Sequence, residues 1–134
     1  MRAVVDTNVL FSFFRKDSLT RKILIFPGNY FISPEFAIKE FKKHSGLICS
    51  KTRISKFNFS RELKKMKSFV KIIPKKNYEN FLANAQKFSP DKDDSEFIAL
   101  CLKLNLPLWS NDKLLKTQDK IAVLNTKDLI EILF

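Results

Sequence analysis

Apolar residues fall in short runs that end at charges, and the spacing inside each run sets the expected elements. "RAVVD" at residues 2–6 is an apolar run closed by an acid, and "NVLFSFF" follows at once, too apolar for a surface loop. Together they predict strand, tight turn and helix. Tyr30 to Ile32 predicts a second strand, and Ser33 with Pro34 has the form of an N-cap followed by the proline-tolerant first helical position. A helix is expected from Pro34 to about His44, with Gly46 as its stop. The basic stretch 50–67, with Ile54, Phe57, Phe59, Leu63 and Met66 interleaved, predicts another helix. "FVKIIP" gives a third strand closed by Pro74. Tyr78, Phe81, Leu82 and Ala85 recur at helical spacing. A helix from about Asp93 to Lys103 then leads to a fourth strand in "LPLWSND". "IAVL" gives a fifth, and Thr126 caps a closing helix in "KDLIEILF".

Strands separated by helical segments pair in parallel through crossovers, so the expected architecture is a three-layer α/β/α sandwich around a parallel sheet of four to five strands. With 134 residues, 45% of them hydrophobic, the chain suits one domain over 1–134. In an open parallel sheet, sites form beyond the carboxyl ends of the strands. Chemistry is expected there.

Charge narrows the partner. Lys and Arg number 25 against 14 Asp and Glu, for a net charge of +11 and a pI near 9.8. Such an excess favours a polyanion, nucleic acid first, over a purely solubilising surface. The basic residues are scattered from Arg15 to Lys127, unlike the block that binds an anionic membrane. Apolar runs break well short of the ~20 residues a membrane span needs, and Met1 leads into "RAVVD" without a signal-peptide pattern. A cytoplasmic protein is expected. Cys49 and Cys101 form no CxxC pair, with only His44 as a further soft ligand, so no zinc site or disulfide framework is suggested. Cys101 reads as a small core residue. Most of the 14 Phe sit at core-facing spacing. Phe57 and Phe59, amid Lys51, Arg53, Lys56 and Arg61, are the exceptions that suit an RNA contact or a partner groove.

The acids carry the sharper signal. Asp6 ends the first strand and Asp112 the fourth, so parallel pairing brings two carboxylates distant in sequence to one edge. Each also suits the N-cap of the element after it. Glu40 lies mid-helix on the face of Phe36 and Ala37; an ion pair with Lys39 or Lys43 is the plainer account. Glu35 is explained by the helix dipole. Within "DKDDSE", Asp91 reads as a loop acid, while Asp93 and Glu96 have capping-pair spacing. Asp94 shares the face of Ile98 and Cys101 and should point at the strand ends. Like charges about 4 Å apart repel by roughly 4 kcal/mol at an effective dielectric near 20. A pocket of Asp6, Glu40, Asp94 and Asp112 therefore calls for a cation, and oxygen-only ligands favour Mg²⁺ or Mn²⁺. One ion, or a pair about 3.5–4 Å apart, would serve hydrolysis of a phosphodiester.

These blocks resemble the PIN-domain family of metal-dependent ribonucleases. "VVDTNVLFSFF" is similar to its first motif, "SPEFAIKEF" to its second, and "DDSEFIALCLKLNLPLWSND" to its third and fourth run together. The resemblance covers nearly the whole chain in order. It implies a parallel sheet between helices and an endoribonuclease that hydrolyses RNA with metal-activated water. It also implies an acidic metal site at Asp6, Glu40, Asp94 and Asp112, with Ser110 as the hydroxyl that helps orient it. Asn8 and Asn111, beside the motif acids, would bind water or phosphate, though Asn8 also suits a turn. The adjacent Asp93 leaves the register open by one residue. Many small members are toxins of VapBC-type toxin–antitoxin pairs and many form homodimers, which implies an antitoxin partner and a homodimer here; stand-alone members also exist. Competing readings are a catalytically silent RNA-binding PIN-like domain and an aspartate-nucleophile phosphatase of the haloacid dehalogenase type. The phosphatase lacks its second acid, since Asn8 stands two residues after Asp6. A receiver-like signalling domain would want an acid pair where Asp6 stands alone.

Overall fold

A computed structural model describes residues 1–15 and 18–134 of the chain. At its centre lies β1 (Arg2–Val5), in which Ala3, Val4 and Val5 have no solvent exposure. A strand apolar on both faces must be covered on both. β1 is accordingly the middle of a five-stranded, all-parallel sheet, with β2 (Tyr30–Pro34) and then β3 (Val70–Ile73) on one side. On the other side lie β4 (Leu108–Trp109) and then β5 (Val123–Leu124).

Parallel neighbours need crossovers. Helices α1 (Thr7–Phe11) and α2 (Leu19–Leu24) link β1 to β2. From β2 to β3 run α3 (Glu35–Lys43), α4 (Ser45–Thr52) and α5 (Lys56–Phe69). α6 (Leu82–Phe88) and α7 (Ser95–Leu104) link β3 to β4, and α8 (Thr126–Leu133) follows β5. The chain thus builds outward from β1 to β3 and returns across β1 to β4. Right-handed crossovers put the helices of the outward leg on one face and those of the return on the other, which makes the expected α/β/α sandwich. The reversal between β1 and β4 opens a crevice at the carboxyl edge, the place where such sheets bind ligands.

Packing on the two faces follows the same division. On the outward face Phe14 stacks on Phe59 of α5, ring centroids 5.0 Å apart. Arg21 of α2 lies over the Phe13 ring, donates to the Phe13 carbonyl, and pairs with Glu62 of α5 at 2.9 Å. On the return face α7 buries Phe97, Ile98, Leu100 and Cys101 and packs across β2, β1 and β4. Trp109 of β4 is fully buried, 5.2 Å from the Phe31 ring, and its indole N–H donates to Thr126 Oγ1 at 3.1 Å. Cys49 and Cys101 are both free thiols. Among the described residues no helix is long and apolar enough to cross a membrane.

Several local expectations are corrected. Ser33 is the fourth residue of β2, not an N-cap: flanked by β1, its buried hydroxyl donates to the Val5 carbonyl at 3.0 Å. The helix after it begins at Glu35, with Pro34 as an N-cap that makes no side-chain bond. Gly46 does not stop the chain but sits in the first turn of α4; the break is at His44. The basic stretch is two helices, because Arg53 takes a left-handed conformation (φ 58°) between α4 and α5. Asn125, not Thr126, caps α8, in a reciprocal capping box with Asp128. Thr126 is held instead by Trp109 and Asn111.

Candidate active site

The register between β1 and β4 builds the site. Val5 pairs with Trp109, so the next residues, Asp6 and Ser110, leave the sheet side by side. The buried Ser110 hydroxyl donates to Asp6 Oδ2 at 2.7 Å and accepts from the Asp112 amide at 3.1 Å. One hydroxyl therefore ties the end of β1 to the turn after β4. Ser110→Ala would leave Asp6 free to rotate and the Asp112 amide unpaired. We expect a loss of about 1–2 kcal/mol in stability, to be read from urea titrations.

Beside this pair a single cavity is lined by Asp6, Asn8, Glu40, Asp94 and Asp112. Asp6 follows β1, Glu40 lies in α3, Asp94 immediately precedes α7 and Asp112 follows β4. The four come from segments far apart in sequence. Asp112 is also a cap, as its position suggested: its Oδ1 accepts from the Leu114 amide at 3.0 Å. Asp6 sits at the N-cap position of α1 but does not cap it in the ordinary way, through a side-chain bond to the amides of its first turn. Glu40 pairs with neither Lys39 nor Lys43; its carboxylate lies 3.4 Å from His44, one turn on. Asn111 is turned away, its side-chain oxygen taken by the backbone and hydroxyl of Thr126.

The acidic stretch before α7 also differs from its expected form. A 3-10 turn covers Lys92–Asp94, and Asp91 caps it by accepting from the Asp93 amide at 3.1 Å. The Asp93–Glu96 capping pair is not formed. Glu96 turns inward, and neither its Oε2 nor the equally buried Tyr78 hydroxyl has a hydrogen-bond partner among the described residues. Asp91 and Asp93 both line the cavity from exposed positions, whereas Asp94 is half-buried. Burial is the difference that singles out Asp94.

Electrostatics mark Asp94 and Asp6. Burial, then the charges of Asp6, Asp112 and Asp91, push the Asp94 carboxyl up to about 6. Burial also raises Asp6, with Asp112 adding to it, although hydrogen bonds from Ser110 and the Thr7 backbone pull the other way. Raised carboxyls beside further acids suit a hard divalent cation, and the donors are all oxygen. Among the described residues no three His, Cys, Asp or Glu side chains stand gathered at ligand spacing. The donor chemistry fits Mg²⁺ or Mn²⁺.

Two basic groups, His44 and Lys51, also line the cavity, a place beside the acids that was not assigned to them from the sequence. His44 could have been found by its i+4 spacing from Glu40. Lys51 could not, because it lies in α4, whose start the expected Gly46 stop had concealed. Of the two aromatic candidates, Phe57 is 71% exposed, with the Arg61 guanidinium 5.8 Å from its ring centre. Phe59 is core.

Comparison with known proteins gives the same outline. The family model described as PIN domain matches residues 4–128. No curated protein matches the sequence. Among solved structures, the chain is similar to VapBC2 from Rickettsia felis, solved bound to a DNA fragment from their promoter: TM-score 0.66, 16% identity, over 93% of this chain and 98% of that one. It is also similar to VapBC-1 from nontypeable Haemophilus influenzae, at TM-score 0.61 and 14% identity, with the same coverage of each chain.

Proposed function

The chain belongs to the PIN-domain family, and from that premise we propose that it is a divalent-metal-dependent endoribonuclease hydrolysing RNA phosphodiester bonds. The observation that supports this reading is the single cavity shared by Asp6, Glu40, Asp94 and Asp112 at the β1–β4 crevice. Those four carboxylates are the residues that would hold Mg²⁺ or Mn²⁺, and Asp94, whose register sequence alone left open, is preferred to the exposed Asp93. A bound divalent cation supplies neutralisation of phosphate charge and a lowered pKa for water. The chain's own part is to hold the ligands. Ser110 fixes the Asp6 rotamer, the Leu114 amide fixes Asp112, and the half-buried setting of Asp94 strengthens its interaction with any cation. The net charge of +11 supplies attraction for a polyanion.

The two solved structures named above are VapBC complexes, which supports a toxin role for this chain with an antitoxin partner; a homodimer is the assembly that the family resemblance implies. A cytoplasmic location follows from that role.

The reading fixes a pH dependence. The Asp94 carboxyl sits at about 6 in the fold against 3.8 when unperturbed, so the neutral form is favoured by folding. Its stabilising contribution is full below pH 3.8 and is lost as pH rises through about 6. Asp6 acts in the same sense. Metal-free protein should therefore melt lower as pH rises through that window, and added Mn²⁺ or Mg²⁺ should restore the melting temperature on the alkaline side but not on the acid side. Melting curves insensitive to metal at every pH would remove the metal from the account. Product ends give a separate check: hydrolysis leaves a 5′-phosphate, and 2′,3′-cyclic phosphate ends would mean attack by the ribose hydroxyl instead.

A further inference from the structure

Lys51, in the last turn of α4, lines two cavities at once: the acid pocket and an open groove beyond it. Phe14, Ile54 and Asn58 line that groove together with Arg15 and Arg53, and the same three residues continue into a smaller recess that reaches Arg61. Cations recur along the path, and all four are exposed. Among the described residues the carboxylate on this path is Glu62, which is already paired with Arg21 at 2.9 Å. At the far end stands the exposed ring of Phe57 beside Arg61.

Arg53 adds an independent observation. It occupies the left-handed position that ends α4, where Gly or Asn is the ordinary residue, and a larger side chain there costs roughly 1–2 kcal/mol. At the matching position after α7 the chain does use Asn, Asn105 with φ 54°. At Arg53 the local preference is overridden, and the residue that overrides it puts a guanidinium on the groove.

We propose, resting on the nuclease reading, that the groove is the track for a single RNA strand on one side of the acid pocket. Phosphates pass Lys51, then Arg15 and Arg53, and reach Arg61, where Phe57 offers a face for a base. A single file of cations over an apolar floor suits one backbone with unpaired bases. It binds phosphate without reading sequence.

The test compares two triple variants of equal net charge: Lys51→Ala, Arg53→Asn and Arg15→Ala in the groove, and Lys103→Ala, Lys120→Ala and Lys127→Ala elsewhere. Asn preserves the left-handed turn at residue 53, and thermal melts confirm that both variants fold. Binding of a fluorescein-labelled single-stranded RNA of mixed sequence is followed in EDTA across a salt series. The groove variant should bind at least about tenfold more weakly and show a slope of log K against log salt shallower by about 2, from about 0.7 per lost phosphate contact. The other variant should stay near wild type. Equal losses in both, or no loss in the groove variant, would overturn the track. So would unchanged RNA affinity with lost affinity for an acidic peptide, which would make the groove a protein dock. A wild type that binds RNA through the groove but never cuts it would sink the nuclease reading and leave the track standing.

Discussion

Asp94→Asn should cut metal-dependent cleavage at least about a thousandfold while making the metal-free protein more stable. The two effects share one cause. Asp94 is held half-buried, with the charges of Asp6 and Asp112 raising its carboxyl, and the proposed cation would offset that repulsion. A metal contributes several kcal/mol of charge stabilisation in a phosphoryl transition state, and each 1.36 kcal/mol is tenfold in rate, hence the size of the loss. In the absence of metal, the neutral amide removes a repulsive charge. Solvent screening at a half-exposed group holds that gain to about 1 kcal/mol, or about 4 °C in melting temperature for a chain of this length. The comparison is Asp93→Asn, which changes an exposed acid and should do neither. If Asp93→Asn rather than Asp94→Asn abolished cutting, the register of the site would be off by one residue.

Trp109→Ala should cost about 3–5 kcal/mol, the range for truncating a buried aromatic. Against a total stability of about 5–15 kcal/mol, that is enough to unfold much of a protein at the low end of the range. Trp109 has no solvent exposure, packs on Phe31 across the sheet, and ties β4 to α8 through Thr126. β4 is only two residues long, so little else holds it. Because Ser110 follows directly, the site should loosen before the fold is lost, and residual activity should fall faster than folded fraction in a urea titration. Trp109→Phe should recover most of the stability without the Thr126 bond. A melting temperature unchanged by Trp109→Ala would mean that β4 is held by other contacts.

The sheet was legible because its signals are local. "RAVVD" and "LPLWSND" are apolar runs that stop at the points where the strands stop or within a few residues of them. The convergence of Asp6 and Asp112 followed from parallel pairing alone, without knowing that β1 and β4 are neighbours. Ser33 was misread because a serine before Pro-Glu looks like a cap until a neighbouring strand presents a carbonyl to it. Thr126 failed for a similar reason: Trp109 and Asn111, distant in sequence, claim its hydroxyl and leave the cap to Asn125. The Asp93–Glu96 pair had the right spacing, but Asp91 took the capping bond first and Glu96 was drawn into the interior. The helix break at Arg53 gave no signal, since a left-handed arginine is what propensity argues against. That same departure is what points to the groove.

The most direct measurement is cleavage of an end-labelled single-stranded RNA by the wild-type protein with Mn²⁺, with Mg²⁺ and with EDTA. The account predicts cutting with at least one of the two metals and none in EDTA. Cutting that persists in EDTA, or RNA that is bound and left intact under all three conditions, would contradict it.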